Sequence, residues 1–105
     1  MNVFEIILSD QTIENTVVED YQVQAWCLIF DTDDLSSLFD MTPAAEAVAV
    51  IDEATTRLRL RSEEIRAVIT SQELLGVRGY RTRLLAMRRD LVNYPDAKIS
   101  GVLEV

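Results

Sequence analysis

A chain of 105 residues, 49% apolar and 27% charged, carries enough hydrophobic material for one globular core and too little length for two. Eighteen carboxylates against ten cations leave a net charge of −8, which disfavours direct binding to DNA or RNA. With no histidine and a single cysteine, Ser-His-Asp and Cys-His catalysis, histidine-ligated zinc and an intrachain disulfide are all excluded.

Three glycines and two prolines leave little material for long loops, so few, well-defined elements are expected in a single domain, 1–105. The apolar run Ala25–Phe30 falls far short of the roughly 20 residues that span a bilayer, and the N-terminus lacks the basic region of a signal peptide. A soluble, cytoplasmic protein without a membrane partner is therefore expected.

Val3 to Leu8 is β-branched and apolar and reads as a strand, with Ser9-Asp10-Gln11 as its turn. Thr12 to Val18 mixes Thr, Ile and Val with Glu14-Asn15, as a short edge strand or an extended loop would. From Tyr21 to Phe30, Tyr21, Val23, Ala25, Cys27 and Ile29 alternate with Gln22, Gln24, Trp26, Leu28 and Phe30, which predicts a strand entering the middle of a sheet. Asp31-Thr32-Asp33-Asp34 stops it, and an Asp here can cap a short helix over Leu35–Phe39.

Thr42-Pro43 predicts the next start, with the hydroxyl at the N-cap and proline at the first helical position. Ala47, Val50 or Ile51, Ala54, Leu58, Arg61 or Ser62, Ile65, Val68 or Ile69, Gln72 and Leu75 recur at helical spacing, and Glu53 with Arg57 and Arg59 with Glu63 fall four apart. One long helix over 43–75, capped by Gly76, is expected. Its rival is a strand at 55–61, where Thr56, Leu58 and Leu60 alternate with Arg57, Arg59 and Arg61 before a new helix at Ser62-Glu63-Glu64. Gly76-Val77-Arg78-Gly79 reads as a connector to a second helix running to Asn93, stopped by Pro95, with Arg88 and Arg89 in its last turns. Lys98 to Val105 supplies a closing strand. The fold class is α+β: a small, mainly antiparallel sheet packed on a helical hairpin with one long helix.

Charge divides the chain. Up to Thr56 there are twelve carboxylates and no cation; beyond it six carboxylates face ten cations, giving halves of −12 and +4. Cys27, in an apolar run with acidic flanks, reads as a buried hydrophobe rather than a reactive thiol.

The sharpest local pattern is Leu28-Ile29-Phe30-Asp31-Thr32-Asp33-Asp34-Leu35. A hydrophobic strand followed by Asp-x-Asp resembles the first motif of the haloacid-dehalogenase-like phosphotransferases. That resemblance implies attack on phosphorus by Asp31, acid/base work by Asp33 and a Mg²⁺ ion at the strand end. It covers about eight residues and departs from the family's pattern at Asp34 and Leu35, and Lys98 is followed by no acidic pair. The preferred reading is an Asp-capped helix start. A calcium loop fails on spacing, since Leu35 and Ser36 stand at its fifth and sixth positions. Arg78-Gly79-Tyr80-Arg81-Thr82-Arg83 could track a phosphate backbone, but pairing with carboxylates of the protein itself or of a neighbour is favoured over nucleic acid.

No cofactor or metal site and no catalytic residue is assigned, and a non-catalytic, self-associating interaction or assembly protein is expected. Candidate interface cations are Arg57, Arg59, Arg61, Arg81, Arg83, Arg88 and Arg89; candidate acceptors are Asp31, Asp33, Asp34 and Asp40. Joined head to tail between copies of a homo-oligomer, such surfaces close rings or extend filaments. The alternatives are mutual neutralisation within a monomer, an acidic inhibitor or nucleic-acid mimic that captures a basic partner protein, and, remotely, a Mg²⁺-dependent phosphatase using Asp31 and Asp33. Size and sparse catalytic equipment would suit an accessory protein of a phage or mobile element.

Overall fold

A computed structural model describes residues 2–69 and 76–104, with side chains as far as Gly101. Strands β1 (Asn2–Leu8), β2 (Gln11–Val18), β3 (Thr42–Pro43) and β4 (Lys98–Glu104) form one antiparallel sheet in the order β2-β1-β4-β3. Helices α1 (Val23–Phe30), α2 (Ala44–Leu60), α3 (Ser62–Val68) and α4 (Val77–Asn93) pack with it as an α+β fold.

The hairpin β1–β2 turns on Ser9 and Asp10, whose φ values of 53° and 65° match a two-residue turn with both central residues left-handed. Phe4 and Ile6 point into the core, as the period of two requires, while Glu5 and Ile7 take the other face and are only partly covered. Opposite them, Thr16 pairs with Phe4 and Glu14 with Ile6, and a bulge follows before Thr12 pairs with Ile7.

Tyr21–Phe30 is helical, not a strand. A 3₁₀ turn at Asp20–Gln22 is closed by the Gln22 N–H donating to the Glu19 carbonyl (2.9 Å) and the Glu19 N–H to Gln22 Oε1 (3.0 Å), and it leads directly into α1. Ala25, Trp26, Ile29 and Phe30 are buried at i, i+1, i+4 and i+5, the signature of one helix face. That face drives the core: Phe4 meets Trp26, Phe30 and Phe39 edge-on at 6.1, 5.8 and 6.0 Å between ring centroids, and Trp26 meets Tyr80 edge-on at 4.9 Å. One aromatic cluster thus ties β1, α1 and α4 to the loop before β3, with ring geometries that add to the area they bury.

The period-two pattern at Thr56–Arg61 does not form a strand. Leu58 is 2% exposed and Leu60 73%, whereas a strand would put both on one face. The long helix expected over 43–75 is interrupted: Arg61, at φ −114° and ψ 31°, separates α2 from α3, and Ile69 is already extended. Residues 70–75, where that helix was expected to end, lie outside the described residues. Thr42 and Pro43 pair with β4, so Pro43 is the N-cap rather than the first helical residue, and the Ala44 N–H donates to the Ala97 carbonyl at 3.0 Å. The expected connector Gly76–Gly79 is mostly helix as well. Gly76, at φ 58°, is the N-cap of α4, and Gly79 is buried in its first turn.

Helices α2 and α4 form the expected antiparallel hairpin, bridged by Arg88 Nε to Asp52 Oδ1 at 2.7 Å. Tyr80, Leu84, Met87 and Leu91 give α4 its core face.

Candidate protein-interaction surfaces

Three of the candidate cations are engaged within the chain. Arg57 Nη1 donates to the Ile29 carbonyl at 2.8 Å, so this guanidinium caps the negative end of α1. Arg88 pairs with Asp52, an acid outside the candidate acceptors. The Arg83 guanidinium carbon sits 5.8 Å from the Tyr80 ring centroid, and Arg83 Nη1 is covered by protein with no hydrogen-bond acceptor.

The remaining cations face outward. Arg59 and Arg81 line a groove of about 460 Å³ between the end of α2 and the start of α4, with Thr55, Thr56, Ser62 and the apolar Leu58 and Val77 among its walls. No carboxylate is among its described lining residues. Arg61 lies around the corner with Leu60, beside Asp52, Glu53 and Arg57, where charge is mixed. Arg89 is exposed and 3.5 Å from its neighbour Asp90.

The candidate acceptors occupy the segment between α1 and β3. Asp31 is the left-handed C-cap of α1, at φ 54°. Asp34 caps the 3₁₀ turn Leu35–Ser37: its Oδ1 accepts from the Ser36 N–H at 2.9 Å and the Ser36 hydroxyl at 2.6 Å, and these bonds hold the carboxyl below its ordinary range. Asp33 and Asp40 are exposed. Among the described residues none of these four carboxylates forms an ion pair, and none is brought against the candidate arginines. Cys27 is half-buried nearby, its thiol pushed up first by burial and then by Asp33 and Asp34.

The phosphotransferase motif loses its context here, because Leu28–Phe30 is the last turn of α1 rather than a strand end. Among the described residues no three carboxylate or thiol groups converge as a metal site, and no helix is long and apolar enough to cross a membrane.

A second groove, of about 420 Å³, runs between β2 and α4. Glu14, Asn15, Thr16 and Val17 all line it; since consecutive strand residues point to opposite faces, four in a row can share only the strand's edge. That edge is the free one, because β2 ends the sheet. The far wall is α4, through Arg83, Ala86 and Asp90. The sequence points to Arg83 as an interface cation and to Glu14 only as one acid of a possible nucleic-acid mimic, and it does not single out Thr16. The available signal was the polar, non-alternating stretch Gln11–Thr16, which suits an edge better than a sheet interior.

Comparison with models of known protein families, with curated proteins and with solved structures finds no match.

Proposed function

We propose that this protein is a non-catalytic interaction and assembly subunit that self-associates head to tail, the Arg59–Arg81 groove of one copy receiving the Asp31, Asp33 and Asp40 surface of the next. The observation that carries this reading is the absence of neutralisation within one copy. The groove has two guanidinium groups and no described carboxylate, while the exposed acids between α1 and β3 have no described ion-pair partner. Guanidinium forks favour carboxylates, and surfaces of opposite sign on one chain complement each other between copies.

The test is solution mass by light scattering behind a sizing column, at low salt and at about 0.5 M, where the Debye length falls to a few Å. An oligomer that loosens at high salt is expected. The double reversal Arg59→Glu/Arg81→Glu should remove the salt-sensitive part of that mass, and adding Asp31→Lys/Asp33→Lys should restore it. A monomer at both salt concentrations refutes head-to-tail assembly. If that monomer instead captures a basic protein through the Asp31–Asp40 surface, the second reading, an acidic inhibitor or mimic, takes its place.

A further inference from the structure

We propose that the free edge of β2 pairs antiparallel with β2 of a second copy across a two-fold axis at Asn15, joining the two sheets into one. This surface is separate from the Arg59–Arg81 groove, and the two interfaces succeed or fail independently.

The backbone supplies the first argument. The edge of β2 that faces away from β1 carries N–H and C=O groups with no strand beside them, and the groove along it leaves room for one.

Register supplies the second. A two-fold axis normal to a sheet must fall midway between one residue and its own copy, because directly opposite residues share a face. Centring on Glu14 would set two carboxylates against each other. Centring on Asn15 sets Glu14 against Thr16 and carries Val17 toward Ile13, two apolar side chains left 38% and 37% exposed in a single copy.

Charge supplies the third. Glu14 and Thr16 pair with Ile6 and Phe4, whose side chains face the helices, so Glu14 and Thr16 lie on the α4 side of the sheet. Glu14 of the second copy, opposite Thr16, therefore enters the groove that Arg83 lines. Arg83 Nη1 has no acceptor in the single copy, although Glu14, Glu19 and Asp90 line the same groove, and a guanidinium N–H without an acceptor is an unstable arrangement. A small turn of the guanidinium toward the incoming carboxylate satisfies it. The bulge at Ile13, between the Ile6 and Ile7 pairings, keeps the regular ladder short, from Glu14 to Thr16 about Asn15, and leaves Val17 to meet Ile13 at its irregular end.

The experiment uses the full chain with Cys27→Ser. Asn15→Cys should form a covalent dimer on mild oxidation or with a short bismaleimide, since directly opposed Cβ atoms lie about 4.5–5.5 Å apart. Thr12→Cys should not, because in this register the two positions are offset by roughly 20 Å at about 3.4 Å per residue. By light scattering, Glu14→Lys should weaken the dimer at least tenfold while leaving the circular dichroism spectrum unchanged, and Glu14→Lys/Arg83→Glu should recover it. The Asn15→Cys cross-link should survive Arg59→Glu/Arg81→Glu, which separates this interface from head-to-tail assembly. Three results overturn the proposal: cross-linking at Thr12→Cys equal to that at Asn15→Cys, no cross-link at Asn15→Cys, or an unchanged mass for Glu14→Lys. A chain that stays monomeric yet binds a labelled acidic peptide along β2 would also overturn it, by giving the edge to a foreign strand.

Discussion

Gly101→Ala should be among the most damaging single-methyl changes this protein can suffer. Gly101 lies in β4, and its N–H donates to the Phe39 carbonyl at 2.7 Å. A Cβ there would stand 2.7 Å from that same oxygen, 2.9 Å from the Ser36 carbonyl and 3.0 Å from the Leu35 carbonyl. All three are backbone atoms, so no side chain can rotate away; the loop 35–39 must move. Overpacking of this kind costs about 1–3 kcal/mol and loss of the hydrogen bond about 1 more. The reduced freedom of alanine in the unfolded chain offsets about 0.4–1 kcal/mol. A net loss of about 1–3.5 kcal/mol follows, against the 5–15 kcal/mol typical of a domain. In urea, with a slope of about 1.5 kcal/mol per molar, the midpoint should fall by about 0.7–2.3 M. Because Phe39 abuts Phe4 and Phe30, and both rings touch Trp26, Trp26 emission in the native state should change too. A Gly101→Ala protein within about 0.5 kcal/mol of the parent, the ordinary range of surface changes, would refute this reasoning.

Arg57→Met, which keeps the stem and removes the donor to Ile29, should cost about 1–2 kcal/mol in the same assay; no loss would mean that α1 needs no cation at its end. Asp34, held below its ordinary value of 3.8 by Ser36, contributes stability above the ordinary carboxylate range that is lost as pH falls through the lowered value. The stability gap between parent and Asp34→Ala should therefore hold above about pH 5 and narrow as pH falls below the ordinary carboxylate value of 3.8, and a pH-independent gap would contradict the cap. Replacing Ser9-Asp10 by Asn-Gly, residues suited to two left-handed positions, should stabilise by about 1 kcal/mol, read as a rise in Tm of about 4–8 °C. Cys27 should alkylate with iodoacetamide more slowly than free cysteine at pH 7.5, and a faster rate would show an accessible thiolate that burial and Asp33 should forbid.

Much of the fold could be read from local chemistry. The β-branched, apolar run Val3–Leu8, the stop at Pro95 and the helical recurrence of Ala47, Ile51, Ala54 and Leu58 each reflect a constraint carried by neighbouring residues, and each element appears, although the helix expected to run on through Ile65 is broken at Arg61. Where two periods competed, the outcome depended on distant partners. Thr56–Arg61 satisfied both templates, and the burial of Leu58 with Leu60 left outside went to the helix. Tyr21–Phe30 also satisfied both, since a short run apolar on nearly every side has no diagnostic period. As the helix α1 it covers the sheet face on which Trp26 and Phe30 reach Phe4.

The candidate surfaces divide the same way. Composition alone established the acidic and arginine-rich halves, the missing histidine and the limits these set on chemistry. Only the tertiary structure separated the arginines into those consumed inside, Arg57 on Ile29 and Arg88 on Asp52, and those left facing outward, Arg59 and Arg81. Only it turned Glu14, Thr16 and Arg83, far apart in the chain, into the walls of one groove. Charge and periodicity belong to residues and their near neighbours, whereas pairing, burial and grooves depend on which distant segments the packed core brings together.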